Sequence, residues 1–264
     1  MGKYLGIAVL SFKTQLVYKW DVLMKGLFAI IRIYLSFALW SVIFLGKTEI
    51  SGMTLPMMVS YHIISSYFKI LDCSDSITNQ LSRDIREGTF IKYKVRPMSV
   101  LCYFVWNSLA KTAFNLVVNI PAVCLWIIIF HKYVVVRVSL EIIVGAVIIS
   151  ILGLLFMILL NFLVGILSFQ FIDISAANMI KNIIVEFLIG MLVPLVLLPD
   201  MVKGVMQWFP FYYITYLPSM LLLGKNLDEV PRAVITVSVW LVVLFIINQL
   251  TFKLLQRKDE GVGM

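Results

Sequence analysis

The chain has 264 residues, 61% of them hydrophobic and only 14% charged, with a mean hydropathy of +1.00; soluble domains run to about 45–50% apolar and about 25% charged, so a soluble fold is excluded. The net charge of +8 is carried by basic residues lying between apolar segments, where membrane topology explains them and a nucleic-acid partner is not needed. Three scattered cysteines, Cys73, Cys102 and Cys124, form no CxxC pair and no even-numbered framework, which excludes a disulfide scaffold or a thiolate metal site.

In chain order, residues 1–24 alternate apolar and basic positions, with Leu5, Val9, Phe12 and Leu16 at helical spacing. This predicts an amphipathic helix lying on the membrane surface. Lys3, Lys13, Lys19 and Lys25 interrupt the apolar residues, so no cleavable signal is expected. Six apolar segments follow, at about 26–45, 54–71, 101–129, 139–168, 176–198 and 230–252, each of the length a membrane helix needs. The predicted fold is an all-α polytopic membrane protein with six transmembrane helices in a single domain over residues 1–264. With the N-terminus inside, thirteen Lys and Arg residues fall on the inner side and six on the outer side, while Arg32, Lys69 and Lys111 lie within spans. The positive-inside rule then places both termini in the cytoplasm. Arg32 lies close enough to the inner end of its span to snorkel.

Between the second and third segments stands SRDIREGTFIKYKVRP, in which seven of sixteen residues are charged. Ile77, Leu81 and Ile85 make an apolar stripe at spacing four, with Arg83 and Glu87 as an i,i+4 pair on another face. Asp75 or Ser76 is placed to cap this helix, and Gly88 to end it in the left-handed conformation. Beyond the glycine, Ile91, Tyr93 and Val95 alternate with Lys92, Lys94 and Arg96, which predicts an extended basic strap. Pro97 then opens the third span. Positive-inside topology and contact with anionic lipid explain the strap. They do not explain the acids Asp84 and Glu87, which point to a docking surface for a protein.

In the third segment Asn107, Lys111, Asn115 and Asn119 recur every four residues, a slowly drifting stripe that faces protein or water. Asn161 in the fourth segment, and Asn178, Asn182 and Glu186 in the fifth, are placed to meet it. Such residues line a substrate path or bond helices to one another. The connection 199–229 is apolar and aromatic, with Trp208, Phe209, Phe211, Tyr212 and Tyr213, but Pro210 and Pro218 break it. It reads as a re-entrant or interfacial helical hairpin on the outer face, or as an aromatic anchoring belt.

Enzyme signatures are missing. His62 and His131 lie apart without HExxH, no GxSxG elbow occurs, and Gly46-Lys47-Thr48 has Ser41 where a phosphate-binding loop needs its first glycine. No metal site and no bound cofactor are expected of the chain itself. From the residues alone, a subunit that docks a partner stands beside a stand-alone ion-coupled carrier or channel using Lys111, Glu186 and the asparagines.

Ile85-Arg86-Glu87-Gly88 followed by Arg96-Pro97, Leu16-Val17-Tyr18-Lys19 running into the first span with Trp40 near its outer end, and the six-span layout with an outer hairpin together resemble bacterial exporter permeases of the ATP-binding-cassette type 2 class. The resemblance covers essentially the whole chain. It implies a permease in the bacterial cell membrane that pairs with a second permease, identical or related, and recruits cassette ATPase subunits, which hold ATP and Mg. It further implies a cytoplasmic coupling helix with Arg83, Asp84, Ile85, Arg86, Glu87 and Gly88 at the ATPase contact, and Arg96 and Pro97 orienting the third span. On the same grounds the outer hairpin becomes a gate, with export of an amphiphilic substrate between the two permeases.

Overall fold

The computed structural model describes residues 2–95, 98–171 and 173–262, with side chains for those between 5 and 255. It is helical throughout. Helix α1 (Gly2–Val17) leads into α2 (Lys19–Ile43), α3 (Leu55–Leu71), α4 (Asp75–Arg86) and the short α5 (Ile91–Lys94). Then come α6 (Val100–Val118), α7 (Ile120–Ile129), α8 (Leu140–Ile166) and α9 (Ser175–Leu188). The broken stretch α10 (Asp200–Met206), α11 (Phe211–Ile214) and α12 (Tyr216–Leu222) precedes the long α13 (Val230–Val262).

Side-chain caps start three of these helices. Thr54 accepts from the Met57 amide at 3.5 Å, Ser99 from Cys102 at 3.3 Å and Ser139 from Ile142 at 3.3 Å, each satisfying an amide that the first turn leaves unpaired. Helix α8 is the axis of the molecule: α13, α4, α6 and the α11–α12 pair all pack on it. Its 27 residues make it about 40 Å long at 1.5 Å per residue. The aromatic stretch packs on its N-terminal half, where Gly153 lets the Ile214 backbone approach. Helix α4 packs on its C-terminal half, where Gly165 leaves room for Leu81 and Thr78.

The segments differ from the sequence expectation in the third span, the fifth span and the N-terminal helix. Among the described residues three helical stretches are long and apolar enough to cross a bilayer, Lys19–Ile43, Leu140–Phe169 and Leu227–Leu255. The expected third span is a pair, α6 and α7, bent by 46° at Asn119. Pro121 sits in the first turn of α7 and has no amide to donate back into α6. Counted as one span, this pair makes a fourth candidate. The expected fifth span stays helical only to Leu188, because Gly190 turns left-handed (φ +79°) and its carbonyl accepts from the Tyr61 hydroxyl at 2.8 Å. The fourteen residues of α9 cover about 21 Å, short of the ~30 Å hydrocarbon core.

Helix α1 also differs. Phe12 packs edge-on against Phe114 of α6 with centroids 5.3 Å apart, and Ile7, Ala8, Ser11 and Gln15 are half-buried beside it. Leu5, Val9 and Leu16 remain exposed. The face that docks is thus rotated from the stripe read in the sequence, since the ring-to-ring contact at Phe12 sets the helix azimuth. Its expected length also divides at Tyr18, where α2 begins.

Candidate functional site: the charged segment and its root

Helix α4 forms where the sequence places it. Ile77 and Leu81 are fully buried and Ile85 half-buried against the C-terminal end of α8, while Arg83, Arg86 and Glu87 are exposed. Gly88 stops the helix at φ +70°, and no atom lies within 4 Å of where its Cβ would stand. Only a residue without a Cβ takes that conformation at little cost.

Asp84 departs from the expected exposed face. It is 5% exposed, accepts from the Tyr93 hydroxyl at 2.8 Å and pairs with Lys92 Nζ at 2.7 Å. Gln80 donates to the same Tyr93 oxygen at 2.8 Å. Burial, then the Asp84 carboxylate, raises the Tyr93 phenol well above its ordinary value. Asp84 therefore ties α4 to the segment that follows and presents no charge outward.

The expected extended strap is instead one helical turn, Ile91–Lys94. Phe90 and Tyr93, three apart, turn inward together. Phe90 meets Phe169 at 5.0 Å and Tyr93 meets Phe104 at 5.3 Å between centroids. Arg96 and Pro97 lie outside the described residues.

The start of α4 is held by polar groups from four helices. The expected caps do not form: the residue before the helix is Ser74, whose amide and hydroxyl both donate to Asp72 Oδ1, at 3.0 and 2.5 Å. Ser76 instead donates to the Cys73 carbonyl at 2.7 Å. Asn161 of α8 donates to Ser74 Oγ at 2.7 Å and accepts from Thr78 at 3.1 Å. Lys181 of α9 also donates to Asn161 Oδ1 and pairs with Asp75 at 3.5 Å. Lys69 of α3 bridges Asp75 at 3.6 Å and Glu186 of α9 at 3.1 Å. From the other side, Lys111 of α6 donates to Ser76 Oγ at 3.1 Å.

Burial lifts the Asp72 carboxyl above the ordinary carboxylate range, against the two bonds from Ser74 that lower it. Burial, then the Asp72 charge, pushes the Cys73 thiol up to about 11.

The asparagine stripe faces protein, as its spacing requires. Asn107 is buried, Asn115 donates to the Ile70 carbonyl at 2.9 Å and to Cys73 Sγ at 3.0 Å, and Asn119 is fully buried at the bend. It meets α3 and the α3–α4 turn. Asn161 and Glu186 do not join it: they reach α4 and Lys69 instead. Lys69, Asp75 and Lys181 belong to this cluster; the sequence reading takes Asp75 only as a cap and Lys69 and Lys181 only as charges in the topology count. Opposite charges set inside apolar segments (Lys69, Lys181, Glu186) were the available signal, because such charges find each other in a bilayer.

At the far end of α8, Tyr212 and Tyr213 are buried and bonded, to Glu229 at 3.4 Å and to the Gln207 carbonyl at 2.8 Å. Burial raises both phenols. Phe211 packs at 90° on Phe156. Trp208, 71% exposed, lies under Arg232, and Phe209 stacks near Trp240. Of the five aromatics read as one gate, only Trp208 and Phe209 are free at the surface.

Comparison with known proteins gives the family. A family model described as ABC-2 family transporter protein matches residues 30–261. No curated protein and no solved structure matches the chain. The match takes in α3 to α13, including α4, its polar root and the aromatic stretch, so this membrane protein belongs to the ABC-2 family of transporter proteins.

Proposed function

We propose that the chain is the membrane subunit of an ATP-driven exporter in a bacterial cell membrane. In this reading it crosses the bilayer six times with both termini in the cytoplasm, and α6–α7 and α9 with residues 189–198 serve as interrupted spans. It works with a second permease, identical or related, and with two cassette ATPases that supply ATP and Mg. The observation that carries this reading is the end of α4. Arg83, Arg86 and Glu87 stand exposed beside a glycine-stopped helix end, on a helix whose other end is held by ion pairs to α3 and α9.

A displacement of that exposed tip is passed to the four helices that hold the root, as an energy-coupling element must do. The polar stripe and Asn161 are assigned to holding this joint rather than to a substrate path, since Lys111, Asn115 and Asn161 spend their bonds on α3, α4 and the turn between them. Trp208 and Phe209 are assigned to the outer gate, with Tyr212 and Tyr213 as its anchors. The substrate is amphiphilic in this reading, in keeping with the apolar, aromatic stretch 199–229.

The experiment is the pair Arg86→Glu with Glu87→Arg, made in cells that supply the cognate ATPase. The expected result is a protein that still reaches the membrane and elutes as the wild type does, but retains less than about a tenth of the ATPase on co-purification. That corresponds to a loss of about 1.4 kcal/mol or more in binding. Full retention of the ATPase with normal transport would remove the assignment of α4.

A further inference from the structure

A cavity of about 380 Å³ opens beside the root of α4, lined also by α1, α2, α3 and α6. Its size falls within the ~300–1,000 Å³ of small-molecule sites. Its charged lining falls into two groups. In the first, Lys69 pairs with Asp75 and Glu186, and Lys181 pairs with Asp75 as well, so two cations meet two carboxylates. Asp72 takes both bonds from Ser74 on one oxygen, and burial raises its carboxyl above the ordinary range, which weakens its charge.

The second group is Lys25 of α2, Lys111 of α6 and the amide of Gln15 of α1. Among the described residues neither of these lysines forms an ion pair. Lys111 is half-buried, and its one hydrogen bond goes at 3.1 Å to the Ser76 hydroxyl, a neutral group that itself donates to the Cys73 carbonyl. Two of its three N–H donors remain. Lys25 is exposed, and among the described residues neither its ammonium nor the Gln15 amide makes a hydrogen bond. Cys73 also lines the cavity, and the charges of Lys111 and Lys25 both act on its thiol, so the two ammonium groups lie on the same part of the wall. A half-buried ammonium without a counter-charge is unfavourable, and an anion entering the cavity supplies one. Donors from three helices call for several acceptor oxygens on one small group, which a phosphate provides and lysine recognises as a point charge.

We infer that this cavity binds a phosphate-bearing anion between Lys25 and Lys111, with Gln15 donating to it. A lipid headgroup and a soluble ester offer the same phosphate chemistry. Bound there, the anion ties α1, α2 and α6 together beside the start of α4. The inference does not rest on the ATPase contact, so a permease purified without ATPase tests it. Its failure is distinguishable from failure of the coupling assignment, which is read by co-purification.

The test is native mass spectrometry of the purified full-length chain in an uncharged detergent. Separate samples receive phosphatidic acid, diacylglycerol of identical acyl chains, or soluble glycerol phosphate. The expected result is retention of a phosphate-bearing probe at least about tenfold above diacylglycerol. Lys25→Gln and Lys111→Gln should each reduce that retention at least about threefold, and Lys132→Gln, in another part of the chain, should change nothing. Retention of phosphatidic acid alone assigns the site to a lipid headgroup, and lysine-dependent retention of glycerol phosphate assigns it to a soluble ester.

Retention of both phosphate probes no better than diacylglycerol overturns the site, and so does retention indifferent to the two lysine substitutions. Lys25 is exposed, so its variant folds even where Lys111→Gln does not. In that case indifference to Lys25→Gln is enough to overturn the inference.

Discussion

Asn161 is the residue on which the root of α4 converges. Its Oδ1 takes both Lys181 and Thr78, and its Nδ2 reaches Ser74 and the Met157 carbonyl. Replacement by leucine keeps the volume but leaves the Ser74 hydroxyl without its donor and strips Lys181 of one of its two partners. Asn161→Leu is expected to destabilise the protein by about 3 kcal/mol. On the scale of a domain of this size that lowers the melting midpoint by roughly 6–12 °C. Asn178→Ala, which removes only a 3.4 Å bond to Asn79, should cost less than about 1 kcal/mol. Thermal unfolding of both variants in detergent compares the two, and similar shifts would deny Asn161 its central place.

The residue scale also shows why Asp84 was misread. Apolar spacing of four through Ile77, Leu81 and Ile85 put the acid on the outer face, yet Asp84 lies three after Leu81, on the edge of the same buried stripe. Positions three and four apart share a face. Reading both intervals turns Asp84 inward, and its partner Tyr93 follows from Phe90 and Tyr93 being three apart.

At the scale of elements, hydropathy alone located every apolar segment but could not tell whole spans from broken ones. Residues 176–198 are apolar up to Pro199, and the glycine and proline inside them are common in membrane helices. The stop at Gly190 depends on Tyr61 reaching its carbonyl, a contact between elements more than a hundred residues apart. The bend at Asn119 was more legible, since Pro121 marks it. Helix α4 was legible throughout its length, because its amphipathic spacing and its terminal glycine are local features.

What the sequence does not show is how closely α4 seats on α8. A Cβ at Gly165 would lie 2.8 Å from Leu81 Cδ1, 3.0 Å from Leu81 Cβ and 3.3 Å from Thr78 Cα. Gly165→Ala is accordingly expected to cost about 1–3 kcal/mol through overpacking. In a double-mutant cycle Leu81→Ala should recover at least about 1 kcal/mol of that loss, since it removes Cδ1, the nearest of the three atoms. Gly204→Ala, with nothing within 4 Å of the added carbon, should leave the melting midpoint unchanged or slightly raised. Additive behaviour of the Gly165 and Leu81 variants would mean that the two helices do not bear on each other there.

For the whole molecule the decisive relation is between the two ends of α8. Helix α4 packs at its C-terminal end and the aromatic stretch at its N-terminal half, and the helix, at about 40 Å, exceeds the ~30 Å hydrocarbon core. In the proposed topology Arg86 and Lys225 fall on opposite sides of the bilayer, with the excess of Lys and Arg favouring the side of Arg86 as cytoplasmic. The test replaces the three native cysteines by serine and introduces Arg86→Cys, Lys132→Cys or Lys225→Cys singly. In intact cells a membrane-impermeant maleimide should label the latter two, and it should label Arg86→Cys only after permeabilisation. Labelling of Lys132→Cys with Lys225→Cys requires an even number of crossings between them, which in the proposed topology are α8 and the interrupted α9 segment. Labelling of Lys132→Cys together with Arg86→Cys would show that the bent α6–α7 pair enters and leaves by the same face, and the chain would then cross the membrane fewer than six times.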